Sequence, residues 1–218
     1  MKAVLLIGSP HGFKSTSNSL GTYLLDKLQG GGYEVSKVHA QAVVYQQEKE
    51  AQMLAQVADS DLLVLAFPLF VDCLPAALIL ALEKIANYRK TAAKPKSTRV
   101  LAIVNNGFPD SSQNATAISI CKQFAKETGY EWAGGLMLGA GQMIGGAPLE
   151  KAPMMKNVKK ALDLTAQNLL EGSTVSNEAT ELMAKTVMPK FLLTMFANMG
   201  WKSRAKPYGT QKKLRDRP

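Results

Sequence analysis

Short apolar runs alternate with segments of helical periodicity along most of the 218-residue chain. Residues 3–8, 61–67 and 98–105 are nearly continuous apolar runs, which predict strands buried on both faces of a sheet. Residues 33–39 alternate between apolar and polar side chains and predict a strand nearer the sheet edge. Residues 130–139 predict a fifth strand.

Segments with helical spacing separate these strands. In the first of them Leu20, Leu24 and Leu28 fall on one helix face, and the glycines at 30–32 end the helix. The predicted helices cover residues 17–28, 47–58, 75–88, 114–128 and 149–170. Strands that alternate with helices predict a doubly wound α/β fold, with a five-stranded parallel sheet and helices on both faces.

A linker at residues 171–174 divides the chain into a domain of residues 1–171 and an appendage of residues 172–218. The whole chain has a net charge of +9, and nine basic against three acidic side chains give the appendage +6 of it. The rest of the chain is therefore nearly balanced, and the tail is the strongly basic part.

In the appendage apolar side chains recur over residues 177–199, and those of residues 188–199 have the spacing of an amphipathic helix. Pro189 starts this helix or kinks an earlier one. Residues 202–218 are basic and predict a poorly ordered end. An apolar stripe at helical spacing favours packing on protein, so we expect a homo-oligomer or contact with the chain's own domain. Peripheral contact with an anionic membrane is the alternative. Nucleic acid is disfavoured, because aromatic side chains are not interleaved with the basic ones.

The composition is that of a globular protein, with 46% hydrophobic and 20% charged residues. Two cysteines, Cys73 and Cys121, cannot form a disulfide framework or hold a four-cysteine cluster, and they fit a reducing compartment. The apolar start is too short for a signal peptide, and no apolar stretch reaches the roughly 18 residues of a membrane-spanning helix. We therefore expect a cytoplasmic protein.

The loop after the first strand is rich in hydroxyl groups and leads into a helix. Its candidate binding residues are Ser9, His11, Ser15, Thr16, Ser17 and Asn18. Unpaired N–H groups at a helix N-terminus attract anions, so the loop predicts a phosphate site. The alternative is that Ser15 or Ser17 only caps the helix. The spacing fits neither a P-loop nor the Gly-x-Gly-x-x-Gly motif of dinucleotide-binding proteins.

Two later loops add candidate residues at the carboxyl ends of other strands, where doubly wound proteins bind ligands. Pro68, Leu69, Phe70, Val71 and Asp72 predict an apolar wall and backbone amides for a flat ring, or a hydrophobic loop covered by protein.

The loop after the fourth strand contains Asn105, Asn106, Gly107 and Phe108, which suit a polar heterocycle or form a plain Asn-Gly turn. The glycine-rich residues 139–146 are a further candidate border of a pocket.

These loops carry a family resemblance. Gly-Ser-Pro-x-x-x-x-Ser-x-Ser after the first strand, Phe-Pro-Leu-Phe-Val-Asp after the third and Asn-Asn-Gly-Phe after the fourth resemble flavodoxin-like flavoproteins of the NAD(P)H-dependent FMN reductase group, over about residues 1–170. The resemblance implies a flavodoxin-like fold. It also implies an enzyme that passes hydride from NADPH or NADH through FMN to a small acceptor such as a quinone or a flavin.

By the same resemblance Ser9, Ser15, Thr16 and Ser17 would hold the FMN phosphate, with His11 and Lys14 as cationic partners. Residues 68–72 and 105–108 would line the isoalloxazine ring. No catalytic acid or base is predicted, because the flavin itself carries the hydride chemistry. His39 is expected to be structural, and no metal site is predicted.

Two other functions stay open. A flavodoxin-type module would hold FMN but pass electrons between proteins, and a fold relative with a degenerate site would act in assembly. For any of these functions, we expect truncation after Glu171 to change the oligomeric state or the solubility more than the flavin affinity.

Overall fold

A computed structural model describes residues 1–91, 95–186, 190–214 and 216. Five strands form one parallel sheet in the order β2-β1-β3-β4-β5. The strands are β1 (Lys2–Ile7), β2 (Glu34–His39), β3 (Leu62–Pro68), β4 (Arg99–Asn105) and β5 (Glu131–Leu138). The five predicted strands and the doubly wound fold are therefore confirmed.

Helices cover both faces of the sheet. They are α1 (Thr16–Gly30), α2 (Ala40–Tyr45), α3 (Gln47–Asp59), α4 (Ala76–Thr91), α5 (Ala115–Glu127), α6 (Lys156–Leu170), α7 (Asn177–Ala184) and α8 (Lys190–Ala205). Side chains of α1, α6 and α7 form the core on one face, and those of α2 to α5 form the core on the other. The central strands are buried on both faces, which explains their nearly continuous apolar sequences.

Before residue 171 the observed elements differ from the predicted ones in two places. Helix α2 was not predicted, because its six residues are too few to establish a helical period. The predicted helix over residues 149–170 is also wrong at its start, where two 3₁₀ turns, Leu149–Lys151 and Pro153–Met155, precede α6. A proline in the second turn has no N–H to continue an α-helical hydrogen-bond ladder.

The apolar segment at residues 177–199 contains two helices, α7 and the first part of α8, and α8 includes most of the amphipathic spacing at residues 188–199. The predicted start or kink at Pro189 lies outside the described residues. Helix α8 continues to Ala205, and the 3₁₀ turn Lys206–Tyr208 follows it. The expectation of poor order is therefore wrong for residues 202–208, which are helical.

The segment after α6 packs on the sheet. The N–H of Val175 donates to the carbonyl of Ala133 at 2.8 Å, and Leu182 and Met183 on α7 are buried in the core. Buried Arg99 donates to the carbonyls of Leu169 (2.9 Å) and Ser173 (3.3 Å). Residues 173–184 thus contribute to the core of the sheet domain, and the boundary at residue 171 stays a prediction.

The close contact between α1 and β1 depends on a glycine. A Cβ atom at Gly21 would lie 2.5 Å from Cδ1 of Leu5, which is fully buried. Only a residue without a side chain lets the helix lie this close to the strand. Since α1 begins at the candidate phosphate loop, the same contact positions that loop.

We expect Gly21→Ala to lower the free energy of unfolding by about 1–3 kcal/mol, because the added methyl group overpacks a filled core. Urea denaturation measures this difference. Gly30→Ala in the same helix is the matched control, since a Cβ there meets nothing within 4 Å. Equal urea midpoints for the two variants would contradict the packing argument.

Candidate functional site

The carboxyl ends of β1, β3 and β4 open into a cleft of about 490 Å³. Eleven of the fifteen candidate binding residues line it: Ser9, His11, Ser15, Thr16, Ser17, Pro68, Leu69, Phe70, Asn105, Asn106 and Gly107. Three loops that are far apart in sequence therefore meet at one end of the sheet, as the strand order requires.

Four candidate residues do not line the cleft: Asn18, Val71, Asp72 and Phe108. The amide of Asn18 donates to the carbonyl of Phe13 at 2.9 Å, so it stabilises the first loop from outside. Phe108 is exposed, with its carbonyl accepting a hydrogen bond from the N–H of Ala140.

Val71 and Asp72 form the tip of a tight turn. Phe70 and Cys73 exchange two backbone hydrogen bonds of 2.9 and 3.0 Å across this turn. Both tip residues have positive φ angles, +47° and +56°, and Val71 is 97% exposed. A β-branched residue is strained in this region, so Val71 is held there by the turn and points away from the cleft lining.

Ser15 is the N-cap of α1. Its Oγ accepts from the N–H of Asn18 at 3.1 Å and donates to the carbonyl of Gly12 at 2.6 Å. Thr16 Oγ1 likewise donates to the carbonyl of Gly141 at 2.9 Å. Both hydroxyl protons are directed to protein oxygens, so the helix-cap interpretation holds for Ser15. The donors left for an anion are the N–H groups in the first turn of α1.

Ser17 connects the helix start to the sheet. The buried Asn105 amide donates to Ser17 Oγ at 2.9 Å and to the carbonyl of Phe67 at 3.1 Å. Because the amide is the donor, the Ser17 hydroxyl keeps its own proton for another acceptor. Ser17 is therefore better placed than Ser15 to donate to an anion in the cleft.

The first loop is also held from the side of β2. Nε2 of His39 lies 2.8 Å from the carbonyl oxygen of Ser9, a contact that fits the structural role expected for this histidine. Among the cysteines, burial raises the pKa of the Cys121 thiol to about 12, so it is a neutral core group at ordinary pH.

The glycine-rich loop at residues 139–146 forms another wall and contributes Gln142 and Gly145 to the lining. Nε2 of Gln142 donates to the carbonyl of Gly107 at 3.0 Å. Gly146 has a φ of +79°, and a Cβ there would lie 2.5 Å from the carbonyl oxygen of Lys14. This glycine lets the loop lie directly against the candidate phosphate loop.

Sequence reasoning missed Arg204, a lining residue that lies on α8 in the C-terminal appendage and not in a loop at the end of a strand. Helix α8 packs on the glycine-rich loop through buried Leu193, which contacts Ala140, with Leu192 and Met143 beside them. The eleven residues from Leu193 to Arg204 make about three helical turns, so both lie on one face. That spacing was the only signal in the sequence, because an isolated arginine in a basic tail marks no site.

None of the described residues that line the cleft carries a carboxylate. Lys14 and Arg204 bring positive charge to the cleft, and His11 lines it as well. Among the parts of the chain that the structure describes, no group of three His, Cys, Asp or Glu side chains could hold a metal ion. The electrostatics therefore favour an anionic ligand.

A second cavity, of about 300 Å³, lies between α3 and α4 near Tyr130. One of its charged lining residues, Arg89, stacks on the Tyr130 ring at 3.9 Å and donates to the carbonyls of Thr128 (2.7 Å) and Lys96 (2.9 Å). The guanidinium is thus already bound by protein, which distinguishes this cavity from the cleft.

Neither the protein-family models nor the curated proteins include a match to this chain. Solved structures do match. An apo NADH:FMN oxidoreductase (EmoB) is 14% identical, with a TM-score of 0.61 over 88% of this chain and 98% of that chain. A NAD(P)H:quinone oxidoreductase from Methanothermobacter marburgensis is 12% identical, with a TM-score of 0.55 over 78% and 96%.

A flavodoxin from Streptococcus pneumoniae TIGR4 is 13% identical, with a TM-score of 0.55 over 79% of this chain and 99% of that chain. In one further match the solved chain is much longer, and this chain spans 37% of its length. At these identities the likenesses show the fold, which is flavodoxin-like. The resemblance drawn from the loops is therefore confirmed at the level of the fold.

Within the described residues, every helix is too short or too polar to cross a bilayer.

We expect Ser15→Ala to lower the free energy of unfolding by about 0.5–2 kcal/mol, because α1 loses its N-cap. Urea denaturation again measures the change. Ser15→Gly is the matched variant, since glycine at an N-cap costs only a few tenths of a kcal/mol. If Ser15→Ala were as stable as the natural chain, the side chain would not be stabilising the helix start.

Proposed function

We propose that the protein is an FMN-dependent oxidoreductase, which takes hydride from NADPH or NADH and passes electrons to a small acceptor such as a quinone or a flavin. One observation carries the proposal. A cleft lies at the start of α1, between β1 and β3, and its described lining residues include two basic side chains and no carboxylate. This is the point where strand order reverses in a flavodoxin-like sheet, and where such sheets bind FMN.

The phosphate of FMN suits the end of the cleft formed by the first loop. The N–H groups of Thr16 and Ser17 lie in the first turn of α1, where no preceding helical turn accepts from them. The Ser17 hydroxyl adds a donor, and Lys14 adds a charge. A dianion binds well to such a helix start because the N–H groups carry a partial positive charge.

The flavin ring suits the other end of the cleft. Pro68, Leu69 and Phe70 supply the apolar wall, and Gly107 leaves room for close approach by a flat ring. The Asn106 side chain accepts from the N–H of Phe108 (2.9 Å) and donates to the carbonyl of Asp110 (3.0 Å), so it shapes the wall. Asn106 thus supports the site through its loop.

When bound, FMN supplies the acceptance and release of hydride. The part of this chain is to bind the phosphate, orient the ring and exclude water from one ring face.

We expect purified protein mixed with FMN to remain yellow after desalting, and NADPH or NADH to bleach the flavin band under anaerobic conditions. A quinone or air should restore the colour. Absorbance spectra before and after each addition measure both steps. Protein that retains no flavin would overturn the proposal. It would favour the alternative that the chain shares only the fold, has a degenerate site and acts in assembly.

A flavodoxin-type electron-transfer module is the second candidate, favoured by the likeness to the pneumococcal flavodoxin. The same spectra separate the two functions. Retained FMN that neither nucleotide bleaches on the timescale of turnover would support the module instead of the enzyme.

We also propose a cytoplasmic homo-oligomer, in agreement with the two free cysteines and with α8. Phe191, Met195 and Met199 recur at four-residue intervals on α8 and are exposed, Phe191 by 70%. Their spacing places them on one face, opposite the buried Leu193. A second copy that covered this face would remove three large apolar side chains from water.

We expect the double variant Phe191→Ser with Met195→Ser to shift the sedimentation coefficient from that of an oligomer to that of a monomer. The smaller side chains remove much of the apolar area that the contact would bury. A monomeric natural chain would contradict this proposal. Binding of that monomer to anionic phospholipid vesicles, and not to neutral ones, would favour the membrane alternative.

A further inference from the structure

Helix α8 presents two chemically different faces. Leu193 on the inner face is 8% exposed and packs on Ala140 of the glycine-rich loop. Arg204 lies three turns further along that face and lines the cleft. Lys202 is two residues earlier, about 200° around the helix, and borders a separate surface hollow with Trp201. The fold therefore directs one of these two cations into the cleft and the other away from it.

The inner face of α8 places the positive charge of Arg204 in the cleft, where no described lining residue carries a negative charge. None of the ion pairs among the described residues involves Lys14 or Arg204, and no carboxylate lines the cleft. Two uncompensated cations that share one cleft repel each other. A ligand with two negative charges would offset both.

We propose that Arg204 binds a ligand phosphate in this cleft, so that the C-terminal helix is part of the binding site. The inference rests on the proposed function. A guanidinium can donate two parallel hydrogen bonds to phosphate oxygens, which a lysine cannot do. The phosphate belongs either to FMN or to the nicotinamide dinucleotide, and the two sources are distinguished below.

If Arg204 binds a phosphate, the C-terminal tail takes part in ligand binding. From the sequence, we expected residues beyond 171 to matter for assembly more than for flavin binding. With Arg204 in the cleft, ligand binding and docking of α8 are linked, and each stabilises the other by the same free energy. A phosphate ligand should therefore protect α8 from proteolysis, whereas a ligand without phosphate should protect it less.

The test compares Arg204→Ala with Lys202→Ala, which removes the same charge from the outward side of the same helix. FMN and riboflavin, which lacks the phosphate, are titrated into each variant by fluorescence quenching. If Arg204 binds the FMN phosphate, Arg204→Ala weakens FMN binding about tenfold or more, because a hydrogen bond to a charged group is lost. Riboflavin binding then changes less than twofold, and Lys202→Ala resembles the natural chain. Arg204→Lys should recover part of the affinity.

If the phosphate is that of the dinucleotide, FMN binding is unchanged in Arg204→Ala. The KM of the FMN-loaded enzyme for NADPH or NADH then rises about tenfold, and again Lys202→Ala does not change it. Identical behaviour of the two alanine variants toward FMN, riboflavin and both nucleotides would overturn the inference. That result leaves the proposed function intact.

Failure of the proposed function has a different signature, in which the natural chain binds neither flavin. Inorganic pyrophosphate then tests Arg204 by calorimetry and by limited proteolysis of the tail. Binding that Arg204→Ala abolishes and Lys202→Ala retains would support the phosphate site without a flavin. Equal binding by both variants, or none by the natural chain, would overturn it.

Discussion

The buried amide of Asn105 holds together the three elements that form the cleft. It lies at the end of β4 and donates to the carbonyl of Phe67 on β3 and to the hydroxyl of Ser17 on α1. Two protons on one nitrogen thus join two strands to the helix start. An apolar residue at 105 would remove both hydrogen bonds, and each such bond contributes about 0.5–1.5 kcal/mol. The position of the helix N-terminus, and with it the anion site, depends on this side chain.

From this junction a continuous set of contacts leads to the end of the chain. Thr16 donates to the carbonyl of Gly141, and Gly146 lies against the backbone of Lys14. The same glycine-rich loop receives Leu193 of α8. One loop therefore supports both the helix start that would bind a phosphate and the helix that carries Arg204. A change in the loop would affect the two together, even though they are almost 190 residues apart in sequence.

The parts of the fold that could be predicted were those governed by local patterns. Buried strands are recognisable because both faces are apolar, and the first loop because hydroxyl groups precede a helical period. The tip at Val71 could not be predicted, since nothing in a valine indicates a positive φ. Nor does the sequence tell which of two nearby serines caps α1, because Ser15 and Ser17 carry the same group. Arg204 depends on packing between distant elements, which no local pattern records.

The basic excess of the chain acquires a physical role from these contacts. From Leu182 to Leu214 the sequence contains seven basic and no acidic side chains, so α8 docks as a positively charged body beside a cleft that already contains Lys14. Lys14 and Arg204 line the same cleft, and two positive charges there repel each other. Apolar contacts at Leu193 must oppose this repulsion when the cleft holds no anion. If Arg204 binds a ligand phosphate, the electrostatic interaction at the cleft becomes attractive, and α8 is held most firmly when that phosphate is bound.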